Sequence, residues 1–261
     1  MNKLSKAFYV LVTASIMTFG AVSMASASQS CDAYHGARTS NPFTLKLGDN
    51  VSSAWDSYLV TTSNDWNISP VLDTVIVTGL VNPKTCKAVS GMVEVCNSKY
   101  GNNGWLGIAS VWVNGKHITQ GTVKMNDTYF QTAKYNTPAW RNLVLCQEIG
   151  HTFGLDHQDE NFTNIPLGSC MDYSNDPLPN QHPNQHDYDE LVSIYNHLDS
   201  ITTVSQTTAT TANRENSNVE IENNPSDWGK AIRFSENGKP ALYERAIGKN
   251  QKVYTFVVWA D

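Results

Sequence analysis

The residues best suited to chemistry lie together in Gln147-Glu148-Ile149-Gly150-His151-Thr152-Phe153-Gly154-Leu155-Asp156-His157. On a helix, Gln147 and His151 are one turn apart and project from the same face. Gly154 lets the chain leave that helix sharply, because glycine takes a left-handed conformation without steric penalty. His157 then reaches the same point from another direction. Three donors meeting in this way suit zinc, whose catalytic sites take three protein ligands and keep a fourth position for water. Glu148, beside the first donor, can take a proton from that water. Zinc lowers the pKa of bound water to about 7 and polarises a carbonyl, so the chemistry that fits is hydrolysis of an amide.

At every fixed position but the first, this stretch resembles the metzincin metallopeptidase signature, H-E-x-x-H-x-x-G-x-x-H. Farther along, Ser169-Cys170-Met171-Asp172-Tyr173 is similar to the S-x-M-x-Y turn that metzincins place beneath the metal. The recognisable features cover roughly residues 91–198. The resemblance implies an α+β fold with a mixed twisted sheet, an active-site helix, a methionine turn and a C-terminal helix. It implies a secreted, zinc-dependent metalloendopeptidase with Zn2+ on His151, His157 and Gln147, and with Glu148 as general base. Met171 would support the site, and Tyr173 would be a displaceable metal ligand or an oxyanion stabiliser. Leu106-Gly107-Ile108-Ala109 looks like the family's edge strand, where an extended protein or peptide substrate adds by main-chain pairing. Gly107, Ile108 and Ala109 are therefore the expected substrate contacts.

Gln147 departs from the family pattern. An amide oxygen is neutral and a poorer zinc donor than imidazole. Three outcomes are open: Gln147 ligates weakly in a working enzyme, another group replaces it, or the site is an inactive scaffold that binds peptide or protein partners. A zinc hydrolase acting on something other than protein also fits the site, although the edge-strand resemblance disfavours it. Glu148 speaks for catalysis, since a purely structural domain has no use for a base there. His182 and His186 follow the methionine turn and lead into a helix, where cap or surface roles account for them. His35 and His117 have no motif around them, and none of these four is read as a ligand. Asp156, Asp159 and Glu160 cluster without calcium-loop spacing and read as a solvated acidic turn.

The elements that must position these groups follow from periodicity and caps. Thr137-Pro138 starts the active-site helix, since threonine caps free amides and proline tolerates the first helical position. That helix is expected to run to about Phe153. A second is expected at Asp187–Leu198, with Leu191, Ile194, Tyr195 and Leu198 at helical spacing. A short helix is expected around Ser53–Tyr58, and strands at Val71–Gly79, Gly91–Cys96 and Trp105–Val113, with Val123–Phe130 extended. Beyond these, Ala231–Phe234, Ala241–Arg245 and Val253–Trp259 read as strands, the first two joined across the hairpin signal Asn237-Gly238.

Composition sets the remaining bounds. The chain has 261 residues and a net charge of −6, which disfavours nucleic acid and anionic membranes as partners. Lys3 and Lys6, the apolar run from Ala7 to Val22, and Ala25-Ser26-Ala27 have the order of a secretory signal peptide over residues 1–27. No stretch is apolar for long enough to span a membrane. The expected product is a secreted monomer with an N-terminal segment at 28–40, a catalytic domain at 41–200, a linker at 201–224 and a small β module at 225–261. Six threonines between 202 and 211 mark the linker. A module that small is marginal alone and is expected to dock on the main domain. Export permits disulfides, and four cysteines form two sequence-local pairs, Cys86–Cys96 and Cys146–Cys170. Each would stabilise by about 2–4 kcal/mol. Cys31 is left as a free thiol, an intermolecular bridge or a metal-capping thiolate.

Overall fold

A computed structural model describes residues 34–204 and 219–260. The signal-peptide segment, Cys31 and residues 205–218 of the linker lie outside the described residues. The fold is mixed α and β, compatible with the expected α+β class. After β1 (His35–Gly36), Phe43, Leu45 and Leu47 point into the core, alternating with Thr44 and Lys46, and form β2 (Phe43–Asn50). Helix α1 (Asp56–Trp66) then crosses to β3 (Leu72–Thr78), which lies parallel to β2. Next come β4 (Val93–Ser98), β5 (Trp105–Asn114), β6 (His117–Asn126) and the one-turn helix α2 (Asp127–Phe130). Helices α3 (Pro138–His151) and α4 (Gln185–Ile194) follow, and β7 (Lys230–Phe234), β8 (Pro240–Gly248) and β9 (Gln251–Trp259) complete the chain.

The strands make one sheet in the order β3-β2-β4-β6-β5-β9-β8-β7, with β1 pairing the start of β6. The first four in that order run parallel, and every pairing from β6 onward is antiparallel. Two expectations are corrected here. The short helix is not Ser53–Tyr58 but α1, and the extended stretch at Val123–Phe130 is the end of β6 followed by α2.

A third correction bears on function. Gly107, Ile108 and Ala109 do not lie on an edge, because β9 pairs with the free side of β5 and sets Val258, Val257 and Phe256 opposite them. The C-terminal module thus docks by main-chain pairing and continues the main sheet. The residues leading into it cross one face of that sheet, where Trp112, Trp105 and Trp228 donate their indole N–H groups to the carbonyls of Val219, Asn223 and Glu222.

Burial on both faces explains why β5 is apolar along most of its length. Ala109, Val111 and Val113 face the main core under the helices, with Leu59, Trp66, Leu143, Val144, Ile149 and Phe153. Ile108 and Trp112 face a smaller core with Trp228, Tyr243 and Val257. Both expected disulfides form, Cys86–Cys96 and Cys146–Cys170. No helix among the described residues is long and apolar enough to cross a membrane.

Candidate active site

Helix α3 begins as its sequence dictates. The Thr137 hydroxyl accepts from the amide of Trp140, and Pro138 occupies the first turn. Near its end, Gly154 has φ +97°, and a Cβ there would stand 2.6 Å from the carbonyl oxygen of Tyr34. Only glycine satisfies both the backbone angle and the close approach, and the chain turns there to bring His157 back over the helix.

The two imidazoles converge with their Nε2 atoms 3.0 Å apart. Each ring is oriented from behind: His151 Nδ1 lies 2.9 Å from the Leu155 carbonyl and His157 Nδ1 lies 2.9 Å from Glu160 Oε1. A carbonyl can only accept, so His151 Nδ1 carries the hydrogen, and a carboxylate assigns the same tautomer to His157. The two Nε2 lone pairs then face each other, an arrangement that a shared cation relieves. A shared proton is the weaker remedy, because burial holds both groups below the usual histidine range, His157 at about 3.

Gln147 is fully buried and donates its Nε2 to the carbonyl of Cys170 at 2.7 Å. Among the described residues its Oε1 has no hydrogen-bond partner. A buried amide oxygen left without a donor is expensive unless something electropositive meets it. Glu148 is also fully buried, and burial raises its carboxyl well above the ordinary range. The backbone amides of Val258 and Ala109 face that carboxyl and oppose the rise, without forming hydrogen bonds of normal geometry. Room for Glu148 comes from Gly107, where a Cβ would stand 2.6 Å from its Oε1. These residues fit a zinc ion in kind: two converging imidazole nitrogens, with an orphaned amide oxygen and a buried carboxyl on the same helix.

No protein-family model matches the chain, and no curated protein matches it.

Residues 169–173 form a turn packed against α3. Met171 Sδ lies 2.5 Å from the position a Cβ on Gly150 would take, directly against α3. The turn is held by Ser169, whose Oγ accepts from the Met171 amide at 2.9 Å and donates to Asp187 Oδ2 at 2.6 Å. Asp187 in turn belongs to the capping box that starts α4. The Cys146–Cys170 bridge ties the turn to α3 covalently.

Strand β9 covers the centre. The Phe256 ring stacks on that of His151, the Val257 carbonyl accepts from the Tyr173 hydroxyl at 2.9 Å, and the Val258 amide faces Glu148. The Tyr173 ring also packs against His157 and Phe162, and burial pushes its hydroxyl pKa up. Asp156 and Glu160 are not a solvated acidic turn. Asp156 is buried and pairs with Arg233 of β7, while Glu160 holds His157 and is raised to about 7 by burial first and Asp159 second.

Of the spare histidines, His182 meets Asp65 at 2.7 Å on the surface. Sequence reasoning missed Phe256, Val257, Val258 and Arg233, whose roles arise from a pairing between distant strands that no local pattern records.

Proposed function

We propose that this protein is a zinc-dependent endopeptidase held latent by its own strand β9. The observation that carries the proposal is the convergence of the His151 and His157 Nε2 atoms at 3.0 Å at the end of the helix that carries Glu148. His151, His157 and Gln147 would hold the ion, which when bound polarises a substrate carbonyl and acidifies a water molecule. Glu148 takes the proton from that water as it attacks and returns it to the leaving amide nitrogen. The Tyr173 hydroxyl donates to the carbonyl oxygen as negative charge develops there.

The contacts of β9 support the same assignment of roles. Its Val257 carbonyl already accepts from Tyr173, and the next amide, that of Val258, already faces Glu148. These are the positions a scissile carbonyl and its leaving nitrogen would take. The strand runs antiparallel to β5, so an extended peptide could replace it by the same main-chain pairing.

The rival reading is a non-catalytic scaffold, favoured by Gln147 and by the complete burial of Glu148 and His151. Zinc content and cleavage of a peptide library separate the two, measured on the native chain, on Phe256→Asp, and on Phe256→Asp combined with Glu148→Gln. The proposal expects zinc in all three and cleavage chiefly in the second. Absence of both zinc and cleavage from every form, with zinc gained on Gln147→His, would establish the scaffold.

A further inference from the structure

A second group of imidazoles gathers away from helix α3. Strands β1 and β6 pair in register so that His35 stands opposite His117. Past the end of α4 the chain returns beside them, and Asp199 is fixed by exchange with Arg38: its amide donates to the Arg38 carbonyl at 2.8 Å, and its Oδ2 accepts from the Arg38 amide at 2.9 Å. The same carboxylate faces three imidazole nitrogens. His35 Nε2 lies 3.3 Å from Oδ2, and His117 Nε2 and His197 Nε2 lie 3.2 and 3.7 Å from Oδ1.

Those separations are long for N–H···O bonds, which cluster near 2.9–3.0 Å. They suit a different arrangement. Bonds of about 2.0–2.1 Å to a tetrahedral zinc ion set its ligand atoms about 3.3 Å apart. The donor atoms of His35, His117 and Asp199 all lie within 4.8 Å of one another. The rings of His117 and His197 stand nearly perpendicular to that of His35, with centroids 5.2 and 4.8 Å away. The group is reachable, since a cleft of about 290 Å³ opens between His35 and His197.

We propose that His35, His117 and Asp199, with His197 as fourth donor, form a second zinc site that is structural rather than catalytic. His35, His117 and Asp199 supply three positions, and His197, whose Nε2 is 3.7 Å from Asp199 Oδ1 but outside that close group, fills the fourth by rotation of its half-exposed side chain, which leaves none for a reacting water. The Arg38 amide on Asp199 is the kind of outer contact that orients a ligating carboxylate. The ion joins segments that lie 164 residues apart in sequence. One of them carries Tyr34, whose carbonyl packs against Gly154 at the turn between His151 and His157. Zinc here therefore braces the loop that delivers the third catalytic donor.

The site is independent of the active-site reading, so its test is run on a chain whose catalytic donor is removed. Metal-free His151→Ala protein is titrated with Zn2+ by calorimetry and with Co2+ by visible absorption. The expected result is one equivalent bound, with the intense absorption of four-coordinate Co2+ and a higher Tm on loading. Adding His117→Ala or Asp199→Asn to that background should weaken binding more than a hundredfold. His197→Ala, at a half-exposed residue outside the core, should weaken it about tenfold. Failure of the His151→Ala protein to take up metal overturns the proposal, as does unchanged affinity in the His197→Ala and His117→Ala forms.

Discussion

The phenyl ring of Phe256 lies flat on the imidazole of His151, with centroids 3.9 Å apart and planes 8° from parallel. A peptide substrate would have to displace this ring, so the stability of β9 and access to the site are linked. Phe256→Ala is expected to lower stability by about 3–5 kcal/mol, as for other buried aromatics, and to raise peptide cleavage at least tenfold. Phe256→Leu should do less of both. Thermal denaturation and a fluorogenic peptide assay on the three forms check the coupling; lost stability with no gain in cleavage would break it.

On the proposed assignment, substitutions at Gln147 and Glu148 separate metal binding from turnover. Gln147→His should tighten zinc at least tenfold, because imidazole is the better donor, while Gln147→Leu should weaken it. Glu148→Gln should leave zinc in place and reduce cleavage by about 10²–10⁴-fold, the usual contribution of a general base. Zinc titrations beside kcat/KM, all on the Phe256→Asp background, provide the comparison. Equal loss of zinc and activity on Glu148→Gln would mean that the carboxylate is a ligand instead of the base.

Lys124 predicts a pH dependence. Its Nζ donates to the Ile221 carbonyl and to Asn223 Oδ1, both at 3.0 Å, and so pins the start of the C-terminal module to β6. Burial lowers its pKa from 10.5 to about 8. Between those values the unfolded chain holds the proton and the folded chain releases it, so stability rises with pH across about 8 to 10.5. Urea midpoints measured over that range should climb for the native protein. They should climb less for Lys124→Met.

The bridge between Cys146 and Cys170 joins helix α3 to the turn that carries Met171. Replacing both cysteines with serine should cost about 2–5 kcal/mol. It should also loosen Met171 from α3 and weaken zinc binding at His151 and His157. Reductant should lower the Tm of the native protein by more than that of the doubly substituted one, which keeps only the Cys86–Cys96 bridge.

Helix α3 was legible because its signals are local: a Thr-Pro start, a glycine stop and apolar residues at helical spacing. Helix α1 was not, for a physical reason. Its inward face is Leu59, Thr62, Ser63 and Trp66, and the two hydroxyl residues hide the apolar period. They are satisfied inside, with Ser63 Oγ 2.7 Å from Thr74 Oγ1. Trp55 at its start offers no side-chain cap. The alternation of Phe43, Leu45 and Leu47 in β2 is itself a local strand signal. Residues 107–109 were expected on an edge because β5 itself says nothing of a partner lying about 145 residues further on, where Ser110 meets Thr255. The gathering of His35, His117 and Asp199 is equally non-local. Its only trace in the sequence is a set of histidines with no motif.

Strand β9 follows every other described strand in order of synthesis, yet it takes an interior place between β5 and β8. The sheet therefore cannot close progressively as the chain emerges. Pairings across such sequence distances are slow, because the entropy of closing the loop is lost before the contacts compensate for it. Until β9 arrives, β5 is an open strand with unpaired amides beside His151 and Glu148, able to pair with other chains. On this view the nascent protein passes through an interval in which the proposed catalytic centre is assembled but uncovered, and the last docking step ends that interval.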